Sequence, residues 1–375
     1  MVLIMVVGIS FSACNNNDLL EIRKKTEQDI ERVTQKTFTY EYNEATGNKT
    51  ATCVELAVEN LSQTVLEVPS REGFIFNGWY LDWLFTSQVS DELGDLVIGE
   101  EIFETSSDKL FARWSAVDAV NYKILMVFVT EIYGTFEKRN GSSILVDFVM
   151  TETEKQICEL VAMMFGQYAN ALMNGLVVFE VDTYFTTQTI GREHLIQGTS
   201  AWGDESGLFF AYMLMANNIP ELDGLLDEYG SVITSFGIND YDNLLTGGAG
   251  YGTKKFAGVH LETLLASFIM NDHLSVQMAL DFDYPGVAEG WESFMQLYLH
   301  EFVHTLEQDP DVLEYNAMDY HDVVKHYSQV CGPIAPGLGA GYQGISEIEV
   351  IRLFLLNRAE IDGRTVGIPN WFWLE

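Results

Sequence analysis

The chain of 375 residues has only 20 lysines and arginines against 55 aspartates and glutamates, a formal net charge of -35. A surface so poor in positive charge repels phosphate backbones, which excludes nucleic acid as a natural partner. Cysteine is scarce too. The four present, Cys14, Cys53, Cys158 and Cys331, show no CxxC spacing. That excludes a disulfide framework and leaves stability to an apolar core. The longest unbroken apolar stretch, near the N-terminus, is about a dozen residues and too short to span a bilayer as a permanent helix. The glycine-rich segment "GGAGYG" at 247–252 lacks the lysine of a GxxxxGK[ST] phosphate cradle. No serine or cysteine sits in a recognisable nucleophile context. What remains is ample: 47% hydrophobic residues, a globular composition on a chain long enough for two domains.

The first residues, "MVLIMVVGISFSACNNN", pass from an apolar run through small residues to a cysteine and then asparagines. This is the pattern of a secretory signal. The ending Phe11-Ser12-Ala13-Cys14 resembles the lipobox of bacterial lipoproteins. That resemblance implies a signal peptide over 1–14, a lipid on Cys14 and a membrane-anchored place on the bacterial cell surface. Residues 15–35 are charged and read as a solvated spacer.

Residues 36–115 read as one small β-rich unit. "TFTYEY" alternates as a strand does, "NEATGN" carries turn residues, and "KLFARW" closes the unit. Phe74, Phe76, Trp79 and Trp114 are the large anchors that so small a module needs. The order Pro69, Arg71, Gly73, Phe74, Phe76, Gly78, Trp79, Tyr80, Asp82, Phe85 and then Leu110 to Trp114 resembles the Listeria–Bacteroides repeat, also called the internalin B-repeat. The resemblance implies a β-grasp-like fold on a surface protein, and a role in spacing or adhesion.

Residues 118–375 carry a different pattern. "NYKILMVFVTEIYG" and "SSILVDFVMT" read as strands, the first as one long buried strand. In 152–174, Ile157, Leu160, Val161, Met164, Phe165, Tyr168 and Leu172 recur at helical spacing, with Gly175 just beyond as a stop. "LVVFEVDTYFTT", "SVITSFGI" and "KKFAGVHLE" read as strands, and 219–230 as a short helix from Pro220 to Gly230. A last apolar helix runs through "AEGWESFMQLYLHEFVHTLEQDP", with Pro310 at its far end.

Within that helix His300 and His304 stand four apart and so share a face, one turn from each other. Two imidazoles so placed can reach one Zn²⁺ at about 2 Å. Zinc acidifies water towards a pKa of about 7. Glu301, rotated about 100° round the helix, is free to take the proton as general base and pass it to a departing amine. Phe294, Met295, Tyr298, Phe302 and Leu306 would bury the opposite side. The HExxH motif on a helix after this order of elements resembles a zincin metallopeptidase, in which an edge strand holds extended substrate above the zinc helix. The longer metzincin signature needs a glycine at position 307 and a histidine at 310; this chain has Glu307 and Pro310, which excludes that subclass.

For the third ligand His321 is favoured: it lies 17 residues after His304, room for a turn and return, and a neutral imidazole suits zinc. Glu347 or Glu349, on the helical stretch "SEIEVIRLFLLN", would give a thermolysin-like set. Glu314, Asp319, Asp322 and His326 are further candidates. Tyr320 and Tyr327 are both candidates for stabilising an oxyanion. His260 reads as a structural histidine, and His194 and His273 belong to no constellation. The expectation is an α+β chain: a β-grasp-like repeat, then a zincin-like peptidase domain that holds zinc and cleaves peptides. The rival expectation is a surface adhesin whose metal site is structural or vestigial.

Overall fold

A computed structural model describes residues 35–43, 52–137, 143–191, 195–197, 212–214, 216, 219–236, 250–260, 285–331 and 345–374. The signal peptide, Cys14 and all of the spacer but Gln35 lie outside the described residues, as do His194 and His273. Among the described residues no helix is long and apolar enough to cross a membrane. The fold is mixed α+β with several sheets, and the chain divides into two compact units.

The first unit takes residues up to 69 and residues 77–112; the second takes 70–76 and everything from 113 on, so the division falls inside two strands. The strands of the first sheet are β1 (Gln35–Glu41), β2 (Cys53–Ala57), β3 (Phe74–Tyr80) and β4 (Lys109–Ala116), in the order β2-β1-β4-β3. β1 runs antiparallel to β2 and parallel to β4. In the first unit Trp79 is fully buried, its ring 4.4 Å from that of Tyr40, and its indole N–H donates to Glu67 O at 2.7 Å. Gly78 is required in β3: its φ is +105°, and a Cβ there would stand 2.1 Å from Ser90 O. Phe76 and Trp114, edge-on at 5.5 Å, fall in the second unit.

The second unit is built on a five-stranded sheet. Its strands are β5 (Val120–Phe128), β8 (Val177–Phe185), β12 (Ser231–Phe236), β13 (Gly250–Thr253) and β14 (Phe256–His260), in the order β13-β14-β12-β5-β8. Four are parallel, and β13 alone is antiparallel, at one edge. Between β5 and β8 the chain forms β6 (Glu131–Glu137), β7 (Ser143–Val149) and helix α1 (Glu152–Met173). Short strands β9 (Ile190–Gly191), β10 (Leu195–Gln197) and β11 (Tyr212–Leu214) follow β8, and a hairpin of β15 (Ala359–Ile361) and β16 (Arg364–Val366) lies near the C-terminus. The other helices are α2 (Pro285–Glu307), α3 (Pro310–Asn316), α4 (Tyr320–Cys331) and α5 (Glu347–Leu355).

α1 starts at a capping box, Thr151 with Glu154, and ends where Asn174 turns left-handed, one residue before Gly175. All seven apolar positions expected to face inward are buried. α2 packs on β12, β13 and β14. Phe302 is fully buried, with Phe179 at 5.3 Å and Phe165 at 5.7 Å between ring centres. Two hydroxyl pairs fasten this helix to β12: Ser231 with Thr305 at 2.6 Å and Ser235 with Tyr298 at 2.9 Å.

Three segments differ from what the sequence led one to expect. The run 121–134 is not one strand. It breaks at Val129 and Thr130, where the Val129 amide donates to Ser235 O and the Thr130 hydroxyl donates to Thr186 O; the chain then enters another sheet, β7-β6-β9. Residues 219–230 form two 3₁₀ turns, Pro220–Leu222 and Leu226–Glu228, because Gly224 adopts φ +84° between them. Half of the glycine-rich segment belongs to β13, a strand whose Gly250 and Gly252 gave no alternating signal. Phe302→Ala should cost about 3–5 kcal/mol. A thermal melt of the full chain would show it, and an unchanged midpoint would place the core elsewhere.

Candidate metal centre

The elements of the second unit that converge on His300 are α2, α4 and α5. Successive helical residues turn by about 100°, so Met295, Tyr298, Leu299, Phe302 and Leu306 form one buried stripe, and His300 and His304 stand outside it. Pro310 does not merely end α2: after Gln308 it opens α3, with Asp309 as N-cap. α3 ends at Ala317, which is left-handed with φ +55°, and α4 then returns with His321 in its first turn.

His300, His304 and His321 each offer a ring nitrogen within 4.8 Å of the others. The ring of His321 stands 4.6 Å from that of His304 and 5.1 Å from that of His300. His304 is buried, His300 half-buried and His321 exposed. The Nδ1 atom of His300 lies 2.7 Å from Glu347 Oε1, and Nδ1 of His304 meets Glu307 Oε1. A carboxylate only accepts, so both Nδ1 atoms carry the proton. Both Nε2 atoms point the other way and face each other at 3.1 Å, where the raised pKa of His300 lets its Nε2 donate to His304 in the metal-free chain. Two ligands of a tetrahedral zinc at about 2.0–2.1 Å stand about 3.3–3.4 Å apart, so this pair is spaced to hold a metal ion of that size in the proton's place.

Glu301 adds an independent sign. It is 4% exposed, and its Oε2 has no hydrogen-bond partner among the described residues. Leaving a buried acceptor unpaired costs about 1–3 kcal/mol, more for a charged group. Burial raises the pKa of Glu301, and the nearby His300 and His304 offset this in part. For His300 burial opposes the charged form, but the hydrogen bond to Glu347 and the charges of Glu301, Glu347 and Glu307 outweigh it and raise the pKa. His321 is shifted down by loss of water and by the charge of His304 and His300.

The other candidates lie apart from this cluster. Glu347 holds His300 and accepts from Gln296 Nε2 at 2.6 Å, an outer-sphere position. Glu349 pairs with Arg352 at 3.0 Å. Asp319 accepts the Asp322 amide at 2.9 Å, Glu314 and Asp322 are exposed, and the His326 ring packs against Tyr327. The Tyr327 hydroxyl accepts the Glu360 amide at 3.1 Å. The Tyr320 ring lies 5.3 Å from that of His300. Its buried hydroxyl has no partner among the described residues. His260 ends β14; the side chains of His260 and Phe294 lie outside the described residues. The role of Glu307 escaped the reading of the sequence. Its signal was a spacing of three from His304, which puts the two on neighbouring turns.

No family model, curated protein or solved structure matches this chain. The functional reading therefore rests on the geometry of the site and the order of the strands.

In the metal-free chain His300 should titrate above the ordinary histidine value of about 6.5, and His321 below it. Glu347→Gln removes charge that favours the imidazolium and should lower the His300 midpoint. Ring-proton NMR across pH reads both; a His321 midpoint above that of His300 contradicts the arrangement.

Proposed function

We propose that the second unit is a zinc-dependent peptidase, with His300, His304 and His321 as metal ligands and Glu301 as general base. The observation that carries this reading is the pair of Nε2 atoms facing each other at 3.1 Å, each ring held by a carboxylate on its far side. Neutral imidazoles suit zinc. Structural zinc sites are closed by four protein ligands, whereas catalytic ones keep a position open. Among the described residues the cluster comprises three. The buried Glu301, its Oε2 without a partner among the described residues, favours catalysis over the rival adhesin, since a structural site has no use for a carboxylate there.

When bound, zinc polarises a carbonyl and acidifies water at neutral pH. Glu301 takes the proton that the attacking water gives up and delivers it to the departing amine. Its raised pKa suits a group that must hold that proton between the two steps. Glu347 on α5 holds the imidazole of His300 and Glu307 at the end of α2 holds that of His304, and α2 is fixed by its packing on the sheet.

The sheet supports the same reading. The resemblance to a zincin implies an edge strand that holds extended substrate above the motif helix; among the described residues β13 is an edge strand, and α2 packs against it. β13 would offer main-chain groups to an extended peptide, which would add to the sheet as a further strand. In the first unit the order β2-β1-β4-β3, with a parallel β1–β4 pair, supports the β-grasp-like reading and a spacer role. Attachment to the bacterial surface through Cys14 follows from the lipobox resemblance alone.

Glu301→Gln should cut peptide cleavage by about 10²–10⁴-fold and leave the zinc content of the purified chain unchanged, as measured by elemental analysis. His300→Ala should lose the zinc itself. Cleavage of a peptide library undiminished in Glu301→Gln would refute the mechanism, and zinc retained in full by His300→Ala would refute the ligand set.

A further inference from the structure

Glu307 is the last residue of α2, and its side chain is 1% exposed. One carboxylate oxygen meets His304 Nδ1, and the other accepts the backbone amide of Tyr320, the first residue of α4. His321 comes next in the chain. A single buried group thus touches one candidate ligand directly and anchors the helix start that bears another. It also lies 13 residues before the amide it holds, across α3 and the turn at Ala317.

We propose that Glu307 is the positioning residue of the metal centre: it fixes the tautomer of His304 and the place of His321 together. The inference rests on the reading of the cluster as a metal site. The chemistry singles out glutamate. A carboxylate accepts at both oxygens, and both partners here are N–H donors. A glutamine has one acceptor and one donor, so it can keep His304 or Tyr320 but sets an N–H against the other. An aspartate is one methylene shorter and cannot span both. Glu347 serves His300 in a related way, but its other contact is the side chain of Gln296. The link between two ligand-bearing helices runs through Glu307.

Coordinated histidines that lose an outer carboxylate lose metal affinity by about 10–100-fold. The bridge predicts more than that. If Glu307 places His321, then removing His321 from a chain that already lacks the bridge should cost little.

The test uses Co²⁺ as the probe on the full chain, with affinity from chelator competition and the ligand-field absorption spectrum as a second readout. Four proteins form a cycle: wild type, Glu307→Gln, His321→Ala and the double variant. The expected result is a 10–100-fold weaker Co²⁺ affinity in Glu307→Gln, a changed absorption spectrum, and a double variant much tighter than the two single losses multiplied together. Equal affinity and spectrum in Glu307→Gln, or strictly multiplicative losses, would overturn the inference while leaving the metal reading intact. A wild-type chain that takes up no Co²⁺ overturns both. Should Glu307→Gln fail to fold by near-UV circular dichroism, Glu307→Asp takes its place in the cycle with the same expectation. Ring ¹⁵N spectra of the metal-free wild type give a readout free of any variant: His304 protonated at Nδ1 supports the proposal, and protonation at Nε2 contradicts it.

Discussion

Glu347 and Glu307 each hold the inner nitrogen of one histidine on α2, and what the site can do follows from the nitrogens left over. An imidazole on a helix is free to turn about two bonds and to carry its proton on either side. Burial alone would fix the rings without choosing the tautomer. The carboxylates make that choice, and they come from different places: one from the first turn of α5, the other from the last turn of α2 itself. The cost is a concentration of negative charge in a poorly solvated place, since Glu301 stands there as well. In the metal-free chain protons meet part of that cost, since the pKa values of Glu301 and His300 are both raised. A divalent cation at the three rings would take over that compensation.

The sequence made some parts of this legible and hid others, for physical reasons that differ from element to element. α1 was readable because its seven inward residues follow the helical period from Ile157 to Leu172 and its ends carry strong stop and start chemistry. The motif helix was readable for the same reason, and the spacing of His300 and His304 needs only local geometry. β8 and β12 were apparent as short runs rich in β-branched and aromatic residues. β13 was not, because glycine has no side chain with which to signal a face. The break between β5 and β6 was hidden because both sides of it are apolar; what ends the strand is a pair of hydrogen bonds to residues about 56 and 106 positions away. The same holds for the site. His321 could be favoured by chain length and ligand chemistry, whereas the office of Glu347 depends on how α5 packs against α2, which no spacing reveals.

Glu307 illustrates the point from the other side. As a letter in a motif it served only to exclude a longer histidine signature. In the folded chain it occupies a place where two donors converge from separate helices. A residue that departs from one pattern was thereby fitted to another task, and the departure was the more informative observation.

The two hydroxyl pairs between β12 and α2 have a consequence for how the histidines are aimed. Tyr298 and Thr305 are seven residues apart, nearly two full turns, so they lie along one line of the helix. Their partners Ser231 and Ser235 lie on one side of one strand. The interdigitated apolar stripe already resists sliding, and these directional contacts add to it at two points along the shaft. They work as keys in a keyway. A helix that slipped by one residue would rotate by about 100°, lose both keys at once and turn its imidazoles out of reach of α4 and α5. The direction in which this centre faces is therefore set in part by four oxygen atoms on another flank of the helix, none of which belongs to the centre itself.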